Sequence, residues 1–194
     1  MVLWWVRSEH SGLVTQGETQ MQGYILKFGA MSGLLVITPM IIGMVAGGQD
    51  SFAAGEAFGY TLMLVAFSLI FIAIKRYRDR ELGGVIRFGQ AFLLGLGIAA
   101  VAGVAYVSVW ELFLYTSDYA FISEYSDGVI AAERAAGADA ARIAEVEAQM
   151  AAMTENYGKP WFRIPITFSE IFPVGAIVSL ISAAILRKPG VLPA

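Results

Sequence analysis

Four long runs of apolar residues, separated by short charged segments, organise the chain. The hydrocarbon core of a bilayer is about 30 Å thick, and a helix that rises about 1.5 Å per residue needs about 20 apolar residues to cross it. Such a segment must satisfy its backbone hydrogen bonds internally, so each run predicts a helix. The pattern therefore predicts an all-α integral membrane protein. Its four predicted transmembrane helices are residues 24–47, 57–74, 88–115 and 168–186.

The composition fits this membrane class. Hydrophobic residues make up 57% of the 194 residues, charged residues make up 15%, and the mean hydropathy is +0.65. Soluble domains are about 45–50% apolar and about 25% charged. The net charge of −3 is too small to indicate a nucleic-acid partner. With no cysteine and one histidine, the chain lacks the residues for disulfides, iron–sulfur clusters and common zinc sites. We expect no metal site and no cofactor, with the lipid bilayer as the environment.

Basic residues are distributed unevenly between the predicted loops. The loop between spans two and three carries five basic residues, and two more follow span four. The loop between spans one and two has none, and in residues 118–163 eight acidic residues outnumber four basic ones. Because basic residues collect on the cytoplasmic side, both termini are predicted to be cytoplasmic and residues 118–163 to be extracytoplasmic.

A single membrane domain is predicted to occupy residues 21–188. Residues 1–20 form an N-terminal lead that is expected to be mobile or to lie at the membrane interface, and residues 189–194 form a C-terminal tail. The lead does not match a secretory signal peptide, because its apolar stretch is too short and its basic residue follows that stretch. Met21 is an alternative start of translation, and the sequence leaves the two starts open.

The extracytoplasmic segment is predicted to be a helical hairpin. Its apolar positions recur in alternating steps of three and four, a heptad-like pattern typical of helices packed side by side. Gly137 followed by Asp139 indicates a turn and an N-cap between two helices. The first helix is predicted to extend span three outward, and the second to run from about Asp139 to Asn156.

Small residues recur every four positions in three of the spans and form one stripe along each helix. Such stripes let helix backbones approach closely. They indicate either a face for self-association or packing within one four-helix chain. The second interpretation is favoured because several helices share the pattern. The predicted helix-packing residues are Gly29, Gly33, Gly95, Ala99, Gly103, Gly175, Ser179 and Ala183.

Two acidic residues in the spans are the candidate functional groups. Glu111 lies late in span three and Glu170 early in span four, so antiparallel helices would place both near the outer face. A carboxylate at membrane depth is costly and predicts an ion or proton site, to which both residues could contribute. The alternative is structural. Residues Thr167 to Glu170 match a capping box, in which the two side chains close the first turn of span four.

Two prolines lie inside predicted spans. Pro39 and Pro173 each remove one helix hydrogen bond, so both predict kinks. Kinked helices can bound a cavity in transporters, although isolated prolines are ordinary in membrane helices. Both prolines are assigned a structural role.

Several stretches resemble a bacterial membrane family known as domain of unknown function number 4199. The matching stretches are MQGYILKFGAMSGLL, RFGQAFLLGLGIAAVAGVAYVSVW and TFSEIFPVGAIVSLISAAILRK, and the resemblance covers about residues 21–188. It implies a four-span α-helical protein of a bacterial inner membrane. It supplies no activity, substrate or cofactor, so it assigns no functional residues.

The sequence contains no nucleophile–base pair, metal-ligand spacing or phosphate-binding loop, and no catalytic residues are predicted. The leading hypothesis is a non-enzymatic accessory, scaffold or assembly component of a membrane complex, with other membrane proteins or a second copy as partners. The alternative hypothesis is a small transporter or proton-coupled permease that uses Glu111 and Glu170. The acidic outer segment favours the first, and the intramembrane carboxylates favour the second.

Overall fold

The computed structural model describes the backbone of residues 2–47 and 55–192, and the side chains of residues 17–45 and 58–192. Within these ranges the chain forms six α-helices and no strand, which confirms the predicted all-α class. The helices are α1 (Val2–Gly47), α2 (Gly55–Glu81), α3 (Phe88–Thr116), α4 (Ala120–Ala135), α5 (Ala140–Tyr157) and α6 (Pro160–Leu186).

Four of these helices are long and apolar enough to cross a membrane. The spanning parts are Gly17–Val45 of α1, Phe58–Glu81 of α2, and all of α3 and α6. The chain is therefore a multi-pass membrane protein with four candidate spans. α1 is longer than predicted, since one helix runs from Val2 through the lead into the first span. The interfacial placement predicted for the lead depends on the side chains of residues 2–16, which lie outside the described ones.

The last helix begins earlier than predicted, at Pro160 instead of Phe168. Lys159 has extended backbone, and Pro160 takes the first helical position, where the missing N–H would have had no helical partner. Pro165 and Pro173 both lie inside α6. Each proline disfavours helical backbone at the residue before it. The helix nevertheless continues, because its packing against the rest of the bundle outweighs this local preference.

The centre of the bundle is α3, which packs against α1 on one side and α6 on the other. Both contacts depend on glycine. A Cβ atom at Gly33 of α1 would lie 2.5 Å from the carbonyl oxygen of Ala102, and a Cβ atom at Gly175 of α6 would lie 2.6 Å from the Cβ of Ala99. The helix backbones can approach this closely only because these positions carry no side chain.

The remaining residues of the predicted stripes also lie at contacts inside the chain, or are fully buried. The stripes that suggested a possible face for a second protein are therefore occupied by the chain's own helices. The residues are Gly29 beside Val101, Gly95 beside Ser179, Gly103 beside Phe168, and the fully buried Ala183.

The start of the first span and the end of the last one meet at the same end of the bundle. Arg78, near the end of α2, is 2% exposed, and its guanidinium donates to the carbonyl oxygens of Val191 at 2.9 Å and Leu192 at 2.8 Å. The hydroxyl of Tyr77 donates to the carbonyl oxygen of Gly17 at 3.5 Å. That this end faces the cytoplasm remains a prediction.

The two shorter helices lie at the opposite end. The predicted extension of span three into the first of them is wrong, because residues Asp118 and Tyr119 have left-handed backbone, with φ of 50° and 58°, and separate α4 from α3. The predicted N-cap of the second helix is confirmed, since the carboxylate of Asp139 accepts a hydrogen bond from the backbone N–H of Arg142 at 2.8 Å. Gly137 makes the turn with a φ of +78°.

Exposed ion pairs connect α4 with α5. Arg134 contacts Glu147 at 2.6 Å, and Arg142 contacts Glu133 at 3.3 Å. Since all four side chains are at least partly exposed, these pairs contribute little to stability. The placement of these helices outside the cytoplasm remains a prediction.

Candidate functional site

The capping box predicted at the start of span four is not formed. Thr167 and Glu170 lie well inside α6, so the backbone N–H groups that a cap would satisfy are already inside a continuous helix. Thr167 is 1% exposed, and its hydroxyl oxygen lies 3.4 Å from that of Tyr157. The structural role expected for Thr167 is therefore a contact between α5 and α6, and the structural role expected for Glu170 is not observed.

The second candidate acid, Glu111, is paired with Arg163 in the first turns of α6. The guanidinium donates from Nε and Nη2 to the two carboxylate oxygens, at 2.7 Å and 2.6 Å, and from Nη1 to the backbone oxygen of Tyr157 at 2.7 Å. Arg163 is 1% exposed and also lies over the ring of Tyr119, 5.3 Å from its centroid. This two-point geometry suits arginine, whose planar fork matches a carboxylate. The charge of Glu111 is thus neutralised by a partner within the bundle.

Tyr157, the last residue of α5, contacts both Arg163 of this ion pair and Trp110 of α3. The indole Nε1 of Trp110 donates to the Tyr157 hydroxyl oxygen at 2.9 Å. Burial raises the pKa of Tyr157 above its usual value near 10, so the hydroxyl keeps its proton and can donate to Thr167. The polar cluster of Glu111, Arg163, Tyr157, Trp110 and Thr167 therefore holds α3, α5 and α6 in register.

A cavity of about 210 Å³ lies beside the polar cluster, where α1, α3, α4, α5 and α6 converge. Aromatic side chains form half of its lining. They are Tyr106, Trp110, Phe121, Tyr125 and Tyr157. The rest of the apolar lining consists of Ile122 of α4 and of three methionines from α1 and α5, namely Met40, Met44 and Met153.

Glu170 is the acidic group of this cavity. Among the described residues that line it, Glu170 is the one carboxylate, and lysine, arginine and histidine are absent from the lining. Glu170 is exposed at the cavity wall and makes no hydrogen bond or ion pair with any residue whose side chain is described. Its carboxyl group therefore faces an aromatic and thioether-lined space without a compensating charge.

The register of α3 against α6 places the two acids at different depths. Arg163 and Arg187 lie near the two ends of α6 and are 24 residues apart. This separation is about 36 Å along a helix, so the two arginines can lie on opposite sides of a hydrocarbon core about 30 Å thick. Glu111 is at the level of Arg163, to which it is bonded. Glu170 is seven residues further along α6, about 10 Å deeper at about 1.5 Å per residue. Glu170 therefore lies at hydrocarbon depth, whereas Glu111 lies near its edge.

The structure does not bring Glu111 and Glu170 together in one pocket. Glu111 does not line the cavity, and its two carboxylate oxygens are taken by Arg163. The predicted two-carboxylate site is therefore reduced to Glu170 alone. Within the described residues, no group of three or more histidine, cysteine, aspartate or glutamate side chains could hold a metal ion.

The two prolines assigned to kinks lie where they were predicted, inside their helices. Pro39 is within α1, one residue before the cavity-lining Met40, and Pro173 is within α6. Because proline has no N–H, Pro173 cannot donate to the carbonyl of Ser169, the residue before Glu170. Both prolines therefore weaken the helix ladder close to the cavity.

Sequence reasoning missed the polar cluster and the aromatic lining. The predicted start of span four at residue 168 places Arg163 in the preceding loop. One signal in the sequence indicates this ion pair. It is the combination of an arginine beside the start of one span with a glutamate near the end of the preceding span. The sequence does not show that the aromatic residues converge on Glu170, since their convergence depends on how α4 folds back.

Comparison with known sequences identifies a family. Residues 27–188 match the model of a family described as protein of unknown function, DUF4199, which confirms the resemblance seen in the motifs. No curated protein and no solved structure matches the chain. Because the matched region is well over half of the sequence, the chain belongs to the DUF4199 family.

Proposed function

We propose that the chain is a small membrane permease or carrier in which Glu170 binds the transported solute or proton. The observation that carries the proposal is the unpaired carboxyl group of Glu170 in a cavity at hydrocarbon depth. A charged side chain in the hydrocarbon region is costly, with a cost that reaches about 2.5–3.5 kcal/mol at the bilayer centre on the mildest scales. A residue that contributes this cost without a structural bond is best explained by a ligand that it binds.

The setting of the cavity supports this role. Five helices meet at it, two of them interrupted by proline near the site. Helices with broken hydrogen-bond ladders are common around membrane binding sites, because they can bend without losing further bonds. We propose that both termini are cytoplasmic, because of the distribution of basic residues, and that the membrane is a bacterial inner membrane, because of the family resemblance.

The accessory or scaffold role is the weaker candidate. It rests on the acidic outer segment and on the absence of catalytic residue sets in the sequence, with the small-residue helix faces as possible contacts for a partner. The stripes are occupied by contacts within the chain, such as that between Gly175 and Ala99. The absence of a catalytic residue set is compatible with either role, so we propose a non-enzymatic protein in both cases.

The test is solute uptake by purified protein in sealed proteoliposomes. A panel of radiolabelled amines, amino acids, carboxylates, sugars and inorganic cations is offered with and without a pH gradient. We expect at least one solute to enter faster than into empty liposomes. Replacement of Glu170 by glutamine (Glu170→Gln) should abolish that uptake, since it keeps the side-chain size but removes the titratable group.

The matched control is Glu124→Gln, because Glu124 is an exposed acid on α4 that does not line the cavity. This variant should transport like the unmodified protein. Uptake that is insensitive to Glu170→Gln, or no uptake of any solute by folded protein, would overturn the proposal. A stable protein partner that co-purifies in fixed ratio under the same conditions would then favour the scaffold role.

A further inference from the structure

The geometry points to a small lipophilic organic cation, an alkyl or aryl ammonium ion, as the ligand of the Glu170 cavity. This inference rests on the proposed function and names its substrate class. It depends on four features of the cavity: its aromatic wall, the polar groups of that wall that are already engaged, its charge balance and its size.

The first feature is the aromatic wall. Five aromatic side chains line one small cavity, and they come from three different helices, α3, α4 and α5. An aromatic ring carries negative charge density on its face and therefore attracts cations, with quaternary ammonium groups as the typical ligands of aromatic cages. The thioethers of Met40, Met44 and Met153 add polarizable surface that adapts to an alkyl group.

The second feature is that the polar groups of three of the rings, those of Tyr106, Trp110 and Tyr157, are already engaged. The hydroxyl of Tyr106 donates to the sulfur of Met40 at 3.6 Å. The hydroxyl of Tyr157 accepts from Trp110 at 2.9 Å and lies 3.4 Å from the hydroxyl of Thr167. These groups do not require hydrogen bonds from a ligand. The wall therefore favours a ligand with an apolar surface over a sugar or a zwitterion that needs many hydrogen bonds.

The third feature is the charge balance. Arg163 is the nearest cation of the polar cluster, and both oxygens of Glu111 neutralise it. No basic side chain lines the cavity among the described residues. When its carboxyl group is ionised, Glu170 leaves the cavity with one uncompensated negative charge. A monovalent cation compensates it, whereas an anion would be repelled.

The size of the cavity limits the ligand further. Its volume of about 210 Å³ is smaller than the roughly 300–1,000 Å³ typical of pockets for drug-sized molecules. A compact ion such as benzyltrimethylammonium is therefore a suitable probe. Its neutral isostere is neopentylbenzene, in which a carbon atom replaces the charged nitrogen, and benzenesulfonate is an anion of comparable size.

The experiment measures binding of these three probes to detergent-purified protein by isothermal titration and by the shift of the thermal unfolding midpoint. We expect benzyltrimethylammonium to bind and to stabilise the protein. Neopentylbenzene should bind at least tenfold more weakly, and benzenesulfonate should not bind. Glu170→Gln should weaken binding of the cation by about thirtyfold or more, the loss expected when one partner of a desolvated charge pair is removed.

A second variant tests the aromatic wall. Tyr125 lines the cavity and is 38% exposed, so Tyr125→Leu should fold and should weaken cation binding about threefold or more. The control is Tyr115→Leu, because Tyr115 is 74% exposed and does not line the cavity. Its affinity should be unchanged. Size-exclusion profiles and unfolding midpoints without ligand establish that each variant is folded.

Equal affinity for the cation and its neutral isostere would overturn the inference, because the cavity would then bind apolar molecules irrespective of charge. Absence of cation binding to folded protein would overturn it as well. If the uptake assay finds a Glu170-dependent solute that is not an organic cation, the ligand class is wrong and the proposed function stands. If the uptake of no solute depends on Glu170, the proposed function and the inferred ligand class both fail.

Discussion

The ion pair between Glu111 and Arg163 gives the sharpest stability prediction. The perturbation is Glu111→Gln, which keeps the shape of the side chain but removes its charge. It leaves the guanidinium of Arg163, 1% exposed, with an amide oxygen in place of two carboxylate oxygens at 2.7 Å and 2.6 Å. Leaving one charge of a buried pair without its partner costs about 3–5 kcal/mol. Since the side chain of Glu111 is 27% exposed, we expect the lower end of that range, about 3 kcal/mol.

The assay is reversible unfolding in mixed detergent micelles, followed by circular dichroism and by the fluorescence of tryptophan. Trp110 donates to Tyr157, whose backbone oxygen is bonded to Arg163, so its emission reports on the cluster. The second arm is Arg163→Met, and the third is the double variant. Because the double variant leaves no unpaired charge, its loss of stability should be smaller than the sum of the two single losses by about 2 kcal/mol.

An exposed ion pair of the same type is the control. Arg134 and Glu147 are 58% and 47% exposed, so Glu147→Gln should lower stability by less than about 1 kcal/mol. If the stability losses of Glu111→Gln and Arg163→Met add up in the double variant, the reasoning is refuted. The losses cannot be additive when the two side chains stabilise each other. Equal effects of Glu111→Gln and Glu147→Gln would refute the claim that burial sets the magnitude.

Two further predictions concern helix packing and helix capping. Gly175→Ala should lower stability by about 1–3 kcal/mol, because its Cβ would lie 2.6 Å from that of Ala99. Gly43→Ala, in a helix but with no atom within 4 Å of the new Cβ, should be neutral or stabilising in the same unfolding assay. Asp139→Ala should destabilise α5 locally by about 0.5–2 kcal/mol, since it removes the acceptor for the N–H of Arg142. Hydrogen exchange should show faster exchange in the first turn of α5, whereas Asp139→Asn should exchange almost normally.

The four spans and the cap at Asp139 could be predicted because they depend on local physics. A span needs a sufficient length of apolar sequence, and an N-cap needs one acceptor side chain before the first turn. The start of α6 could not be predicted in this way. The residues Thr167 to Glu170 have the composition of a capping box, but such a box forms only where the preceding backbone is not helical. Whether it is helical depends here on contacts with α3 and α5.

The site depends even more on tertiary structure. Glu111 and Arg163 are 52 residues apart, and their pairing follows from the antiparallel register of α3 and α6. The contacts of Gly95 with Ser179 and of Gly103 with Phe168 follow from the same register. A sequence shows which residues are polar inside a span. It does not show which of them have found a partner.

The difference between the two carboxylates is therefore the main functional signal in this chain. Both acids lie in apolar helices, and each alone would be an equally good candidate. Glu111 lies near the membrane edge, and its charge is balanced by Arg163, so stability of the fold is sufficient to explain it. Glu170 lies about 10 Å deeper along the helix, and no described residue balances it. A carboxyl group that the fold does not pair supports the proposal that Glu170 binds a ligand, and the cavity that it lines is the site where we propose that this ligand binds.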